Sequence, residues 1–166
     1  MDIKFRVSLT SAPHKGKLIY REYEYSFDFL FAEPNEKNGD YGYTSLVIDT
    51  LQLKISTETQ KIISVWGYFP FRFRAMQRQL PEPIRNPGAL WAIGHLDLIS
   101  GVSVGIESIG LTIVSYDSST GWICVGETNR SRDDQFIEFA DNCIAVINDG
   151  LLIALWLHPE IVQKPE

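Results

Sequence analysis

At 166 residues, with 45% hydrophobic and 22% charged side chains, the chain has the composition of one folded domain spanning 1–166, which excludes a disordered or collagen-like polymer. Its formal charge of −6 is unevenly spread: residues 1–83 hold 11 basic and 10 acidic side chains (net +1), and residues 84–166 hold 4 and 11 (net −7). Phosphate backbones demand gathered positive charge, so nucleic acid is not the expected ligand; an acidic half suits a basic protein partner, or simply solubility.

Asp2 to Leu9 alternates, with Ile3, Phe5, Val7 and Leu9 on one side and charge on the other, which predicts a half-buried strand. Arg21 to Phe31 repeats the pattern with rings at Tyr23, Tyr25, Phe27, Phe29 and Phe31. A loop with Pro13 and Gly16 separates the two, and a hairpin between them is expected. Glu33 to Tyr43 has the turn chemistry of a loop, carrying Pro34, Asn35, Asn38, Gly39, Asp40 and Gly42. Leu46 to Ile55 reads as a strand whose phase changes midway: either both faces are buried or a bulge near Asp49-Thr50 shifts it. After a polar turn at 56–60, Lys61 to Trp66 returns as its hairpin partner.

The stretch 68–88 differs in kind, holding Pro70, Pro81, Pro83 and Pro87 with Arg72, Arg74, Arg78 and Arg85. It predicts an ordered excursion, with room for a short helix at 74–79. Leu90 to Ile99, Val102 to Glu107 and Ile109 to Tyr116 read as strands, and Trp122 to Val125 pairs back across the turn at 117–121. Glu127 to Gln135 is a charged loop. Phe136 to Ala140 has helical spacing, with Ser131 and Asp134 placed as a capping box, but Asp141-Asn142 suits a hairpin turn and a strand is preferred. Cys143 to Ile147 and Leu151 to Leu157, joined by Asn148-Asp149-Gly150, form the plainest hairpin; the tail after His158-Pro159 reads as charged and irregular.

Many short strands with little helix predict an all-β domain with at most one or two short helices, an antiparallel sandwich or barrel-like fold. Leu151 to Leu157 is apolar on both faces, so its second face needs a cover: the Pro-rich excursion, another sheet, or a second subunit in a homodimer. That apolar run is far shorter than a membrane span, and the start of the chain lacks the apolar stretch of a signal peptide, so a cytoplasmic protein is expected and the Asn129-Arg130-Ser131 glycosylation triplet carries no meaning. Cys124 and Cys143 are then free buried thiols.

Few residues suggest chemistry. Gly101, Gly105 and Gly110 match no phosphate-binding pattern, and Ser108 lacks the glycine that a nucleophile elbow needs before it. Of His14, His95 and His158, only His95 has a partner in reach, since Asp97 shares its face on a strand. The acidic pairs Glu22/Glu24 and Asp133/Asp134 have no reason to be desolvated. No enzyme activity, cofactor or metal is therefore expected. The ring-dense run Trp66-Gly67-Tyr68-Phe69-Pro70-Phe71 cannot all face one core from a strand, which makes Trp66, Tyr68, Phe69 and Phe71 a candidate recognition surface, with a lid over the sheet as the plainer alternative. A second candidate is the loop with Glu127, Asp133 and Asp134, placed to meet a basic partner. Sugar binding on an exposed Trp66, Trp91 or Trp122 is an alternative of another class.

In style, the hairpin ending at Ile62 to Pro70 and the hairpin Cys143 to Pro159, with its Asn-Asp-Gly turn and Leu155-Trp156-Leu157-His158-Pro159 ending, resemble small bacterial immunity proteins of polymorphic or contact-dependent toxin systems. The resemblance covers about a fifth of the chain and carries no site residue. It implies a compact, acidic, non-catalytic protein that binds and blocks one toxin domain.

Overall fold

The structure, a computed structural model, describes residues 3–33, 42–106 and 109–165. The readings that fall on Asp2, on the loop at 34–41 and on Glu107 and Ser108 lie outside the described residues. The chain folds as β1 (Lys4–Ser8), β2 (Gly16–Arg21), β3 (Ser26–Phe31), β4 (Tyr43–Ile48), β5 (Leu51–Ser56) and β6 (Ile62–Tyr68), a one-turn helix α1 (Phe71–Arg74), then β7 (Met76–Gln77), β8 (Ala89–Ile93) and β9 (Val104–Gly105). A 3-10 turn (Ile109–Thr112) leads into β10 (Val114–Tyr116), β11 (Ile123–Gly126), β12 (Gln135–Ala140), β13 (Cys143–Asn148), β14 (Leu151–Leu157) and β15 (Glu160–Val162). Strand dominates and, among the described residues, no helix reaches seven residues, so the expected all-β class holds; the sheets stack in a sandwich-like arrangement and do not close into a barrel.

One sheet of seven strands runs β15-β2-β3-β6-β5-β4-β9, another of six runs β12-β13-β14-β11-β10-β7, and β1 pairs with β8 as a separate ribbon. Most pairings are antiparallel; β15 on β2, β9 on β4 and β7 on β10 are parallel. Inward rows of both sheets meet in one core that includes Phe27, Phe29, Leu53, Val65, Phe69 and Phe71 from one side and Ile123, Val125, Phe139, Leu155 and Leu157 from the other.

Several elements depart from the sequence reading. The hairpin expected between the first two strands does not form: β1 pairs instead with β8, Phe5 opposite Ala92. The true partner of β3 is β2, read from sequence as loop because Leu18, Ile19 and Tyr20 are all buried and show no alternation. Tyr23 and Tyr25 stand in the β2–β3 turn, not in the strand, with Tyr25 at φ +55°. The phase change at Asp49-Thr50 is neither a bulge nor double burial but a tight turn between β4 and β5, with Asp49 at φ +58°. The short helix lies at Phe71–Arg74, before the expected 74–79, and strand β8 ends at Ile93, well short of Ile99. Ile109–Thr112 is a 3-10 turn, and the tail after Pro159 adds β15 alongside β2. The two preferred strand readings, Phe136 to Ala140 and the hairpin through Asn148-Asp149-Gly150, hold as β12, β13 and β14.

The double-faced apolarity of β14 has a cover within the chain. On the outer face of the six-stranded sheet, Trp122, Cys124, Phe136, Ile144, Val146, Ala154 and Trp156 form a second buried cluster together with Leu80 of the Pro-rich segment. That segment is tied down along its length: Arg78 N–H donates to Tyr116 O (3.0 Å) and Leu80 N–H to an Asp117 carboxylate oxygen (2.9 Å). Further along, Asn86 donates its side-chain amide to Phe136 O (3.1 Å) and Glu138 N–H donates to Asn86 O (2.7 Å). Arg85 lies over the Trp122 ring and bonds the buried Glu138 carboxylate (3.2 Å), while Arg130 stacks on Phe136 and donates to Glu82 O. At Gly88 the backbone passes so close to β1 that a Cβ would stand 2.3 Å from Ser8 O, which requires glycine there.

Candidate functional site

The run from Trp66 to Phe71 splits by strand geometry. On β6, Trp66 and Tyr68 point outward, while the chain then turns so that Phe69 and Phe71 enter the core. Phe69 and Phe71 are 1% and 0% exposed, so these two expected recognition residues present nothing to a partner. Their place is taken by rings that the sequence reading passed over. Phe73, on α1, is 74% exposed; its ring lies 5.4 Å edge-on from Tyr25, which in turn lies 6.4 Å from Tyr68.

Local structure places this cluster. The turn at 22–25 holds Tyr25 at positive φ, costly for a bulky side chain, and Tyr25 O accepts Phe69 N–H at 2.7 Å. Phe71 and Ala75 close the single helical turn through a 2.7 Å bond from Ala75 N–H to Phe71 O, which throws Phe73 to the opposite side from buried Phe71. Arg72 pairs with Glu22 and Arg74 with Asp49, so the cluster is framed by two ion pairs whose charges cancel. The Tyr20 hydroxyl beneath donates to Phe69 O (3.0 Å), and burial holds its proton on far above the usual phenol range.

Trp66 belongs to a different feature. Register sets Asp28, Trp66 and Gln52 in one outward row of the seven-stranded sheet and Leu30, Ser64, Lys54 and Ser45 in the next. The Trp66 indole N–H donates to Ser45 Oγ (3.2 Å), so the ring reaches from β6 over β5 to β4 and lies along the sheet surface. Beside it is a cavity of about 190 Å³ lined by Asp28, Tyr43, Lys54, Ser64 and Trp66, with Phe29 and Phe31. Of the other tryptophans singled out for sugar binding, Trp122 is buried under Arg85 and Trp91 is half-buried beneath Arg6.

The acidic loop divides as well. Glu127 and Asp133 are exposed. Asp134 is structural: one carboxylate oxygen accepts Ser131 N–H (2.8 Å) and the other accepts the Asn148 amide (2.8 Å), which fastens the loop to the β13–β14 turn. His95 and Asp97 are exposed on an irregular stretch after β8; no hydrogen bond or ion pair joins them, and Asp97 stands at φ +49°. Among the described residues no three His, Cys, Asp or Glu side chains gather as a metal site, and no helix is long and apolar enough to cross a membrane. Both cysteines are free and buried; burial pushes the Cys124 thiol up to about 12 and Cys143 higher still, away from nucleophilic thiolate.

The exposure of Phe73 had one sequence signal. A third ring at 69, 71 and 73 follows a proline, and a helix of one turn cannot bury residues two apart on the same side. No protein-family model matches the chain, and comparison with curated proteins finds no relative.

Proposed function

We propose that the protein is a non-catalytic binding module, an immunity-type inhibitor that occludes a basic toxin domain, and that it docks through the ring cluster of Tyr25, Tyr68 and Phe73. The observation that carries this reading is the cluster itself. Tyr25 contacts both Tyr68 and Phe73, and the three rings, one of them 74% exposed, sit outside the core on a strained turn, the end of β6 and a one-turn helix. Exposed clustered rings are the usual anchors of protein interfaces, because each buries a large apolar area at small cost in side-chain entropy. Glu127 and Asp133 add negative charge that speeds encounter with a cationic partner without forming the anchor.

The test is complex formation with the polypeptide encoded by the adjoining reading frame. The wild-type chain should bind it and relieve its toxicity, and Phe73→Ser should weaken binding by about thirtyfold or more, the scale of a hot-spot residue. The immunity reading fails if that polypeptide neither binds nor is neutralised. The docking surface is wrong if it binds the wild type and Phe73→Ser equally well.

A further inference from the structure

The cavity beside Trp66 holds a cation, Lys54, that no described residue pairs or hydrogen-bonds. Lys54 is half-buried on β5, its ammonium 4.0 Å from the Tyr43 ring centroid and 5.8 Å from that of Phe31. Among the described residues it forms no ion pair and no hydrogen bond. The nearest lining carboxylate, Asp28, is already engaged: Arg21 donates to one oxygen (2.9 Å) and Phe29 N–H to the other (2.8 Å). The two charges of the lining, Lys54 and Asp28, balance formally, but Asp28 is bonded to Arg21 and to Phe29 N–H and not to Lys54, so the ammonium faces the cavity without a bonded counter-charge. Removal from water pulls the Lys54 proton affinity down, and the Asp28 charge opposes this. Aromatic faces stabilise an ammonium, but they satisfy none of its three N–H donors.

The remaining walls state what else an occupant meets. The Trp66 indole N–H is used by Ser45, so the ring offers its face and not its donor. Tyr43 and Trp66 are 42% and 37% exposed, and Ser64, 3% exposed as a residue, also lines the cavity. A volume of about 190 Å³ is small for a ligand pocket and of the order that holds one six-membered ring.

We infer that this cavity is a binding site for a small anion built on a single ring, its carboxylate received by Lys54 and its ring lying against Trp66. The two sources of that chemistry are an aromatic acid and a sugar acid. The inference does not depend on the protein-docking proposal, since Tyr25 and Phe73 do not line the cavity.

The experiment is a titration of isotope-labelled wild-type protein, followed by the indole N–H resonance of Trp66 and the amides of Ser64 and Lys54. Benzoate and D-glucuronate are the probes; benzamide and D-glucose are their neutral counterparts. Saturable shifts with at least one acid are expected, at a dissociation constant of about 1 mM or tighter. Whichever acid binds identifies the source. The neutral counterpart should bind about tenfold more weakly or worse, the loss of one charge-assisted hydrogen bond. Lys54→Met, which keeps the stem and removes the charge, should show the same loss. Absence of saturable shifts with both acids overturns the inference, as does equal binding of acid and neutral counterpart. The comparison on the wild type decides the matter even where Lys54→Met fails to fold.

Discussion

Ile144→Ala tests whether the outer face of the six-stranded sheet is a sealed second core or a docking face. Ile144 is 0% exposed, on β13, in the cluster with Trp156, Val146 and Leu80. The substitution removes three carbons, worth about 2.4 kcal/mol of transfer free energy at about 0.8 kcal/mol each. The neighbours are fixed by the hydrogen bonds of the six-stranded sheet and by the Pro-rich segment, so the void collapses only in part, and the total should reach about 3–4 kcal/mol. For a chain of this length that lowers the melting temperature by about 10 °C. Phe73→Ala is the control: with that ring 74% exposed, stability should move by about 0.5 kcal/mol or less. Urea melts followed by far-ultraviolet circular dichroism, with wild type and both variants at several concentrations, give the comparison. A cost for Ile144→Ala below about 1 kcal/mol would mean that the face is loosely covered, and the account of the Pro-rich segment as its seal would fall. So would a wild-type midpoint that rises with protein concentration, because a second subunit would then supply the cover.

Two further outcomes follow from titratable side chains. His14 is 5% exposed, and burial, with a smaller contribution from Lys61, holds its folded pKa at about 4 against 6.5 when free. The unfolded chain therefore takes up a proton that the native state refuses: the contribution is intact above pH 6.5 and is lost as pH falls towards 4, amounting to about 3 kcal/mol. His14→Leu should flatten stability across that window, and an unchanged decline in the variant would place the acid sensitivity elsewhere. In the acidic loop, Asp134→Ala should cost about 1 kcal/mol because the Ser131 N–H and the Asn148 amide lose their acceptor, while Glu127→Lys and Asp133→Lys should leave the melt unchanged and slow association with a cationic partner. Equal stability effects across the three positions would contradict the division of the loop.

Local pairing was legible from sequence wherever one face of a strand is wet and the turn carries its own chemistry. The β13–β14 hairpin, buried on both faces, is legible from its turn, with Asp149 and Gly150 at positive φ where the tight connection requires it. Alternation misled twice in the β2–β3 hairpin. Rings at 23 and 25 continue the period of Phe27 and Phe29, yet the chain there is turning, and period alone does not distinguish a ring projecting from a turn from one facing a core. At β2 the opposite failure occurs: Leu18 and Tyr20 enter the core while Ile19, on the outer row, is covered by its neighbours, so three buried residues in succession hide a strand. Pairings between distant segments, β1 with β8 and β15 with β2, leave no local mark at all. The candidate surface was half legible for the same reason. The sequence marked too many rings between 66 and 71 for one core, but which of them face out depends on the turn at Pro70.

The two outer faces of the sandwich are finished differently, and this bears on where recognition is possible. The six-stranded sheet is closed by the segment 78–88, whose Arg85 joins Arg130 in spreading cations over Trp122 and Phe136 and so removes those rings from a partner's reach. The seven-stranded sheet keeps Trp66, Leu30 and Tyr43 partly exposed on its outer side. The acidic excess of residues 84–166 lies in the half that supplies β8–β15, so it is carried largely by the closed sheet and its loops. Long-range attraction and apolar anchoring thus originate on different sheets. Between them runs the connection from β6 through α1 to β7, which leaves the seven-stranded sheet and pairs with β10 of the six-stranded one. The ring cluster sits on this crossing. On the proposed docking, a cationic partner drawn in by the acidic half would meet Phe73 and Tyr68 at the seam, whereas the cavity at Lys54 lies on the open sheet, where the ammonium would repel that same partner and suit an anion instead.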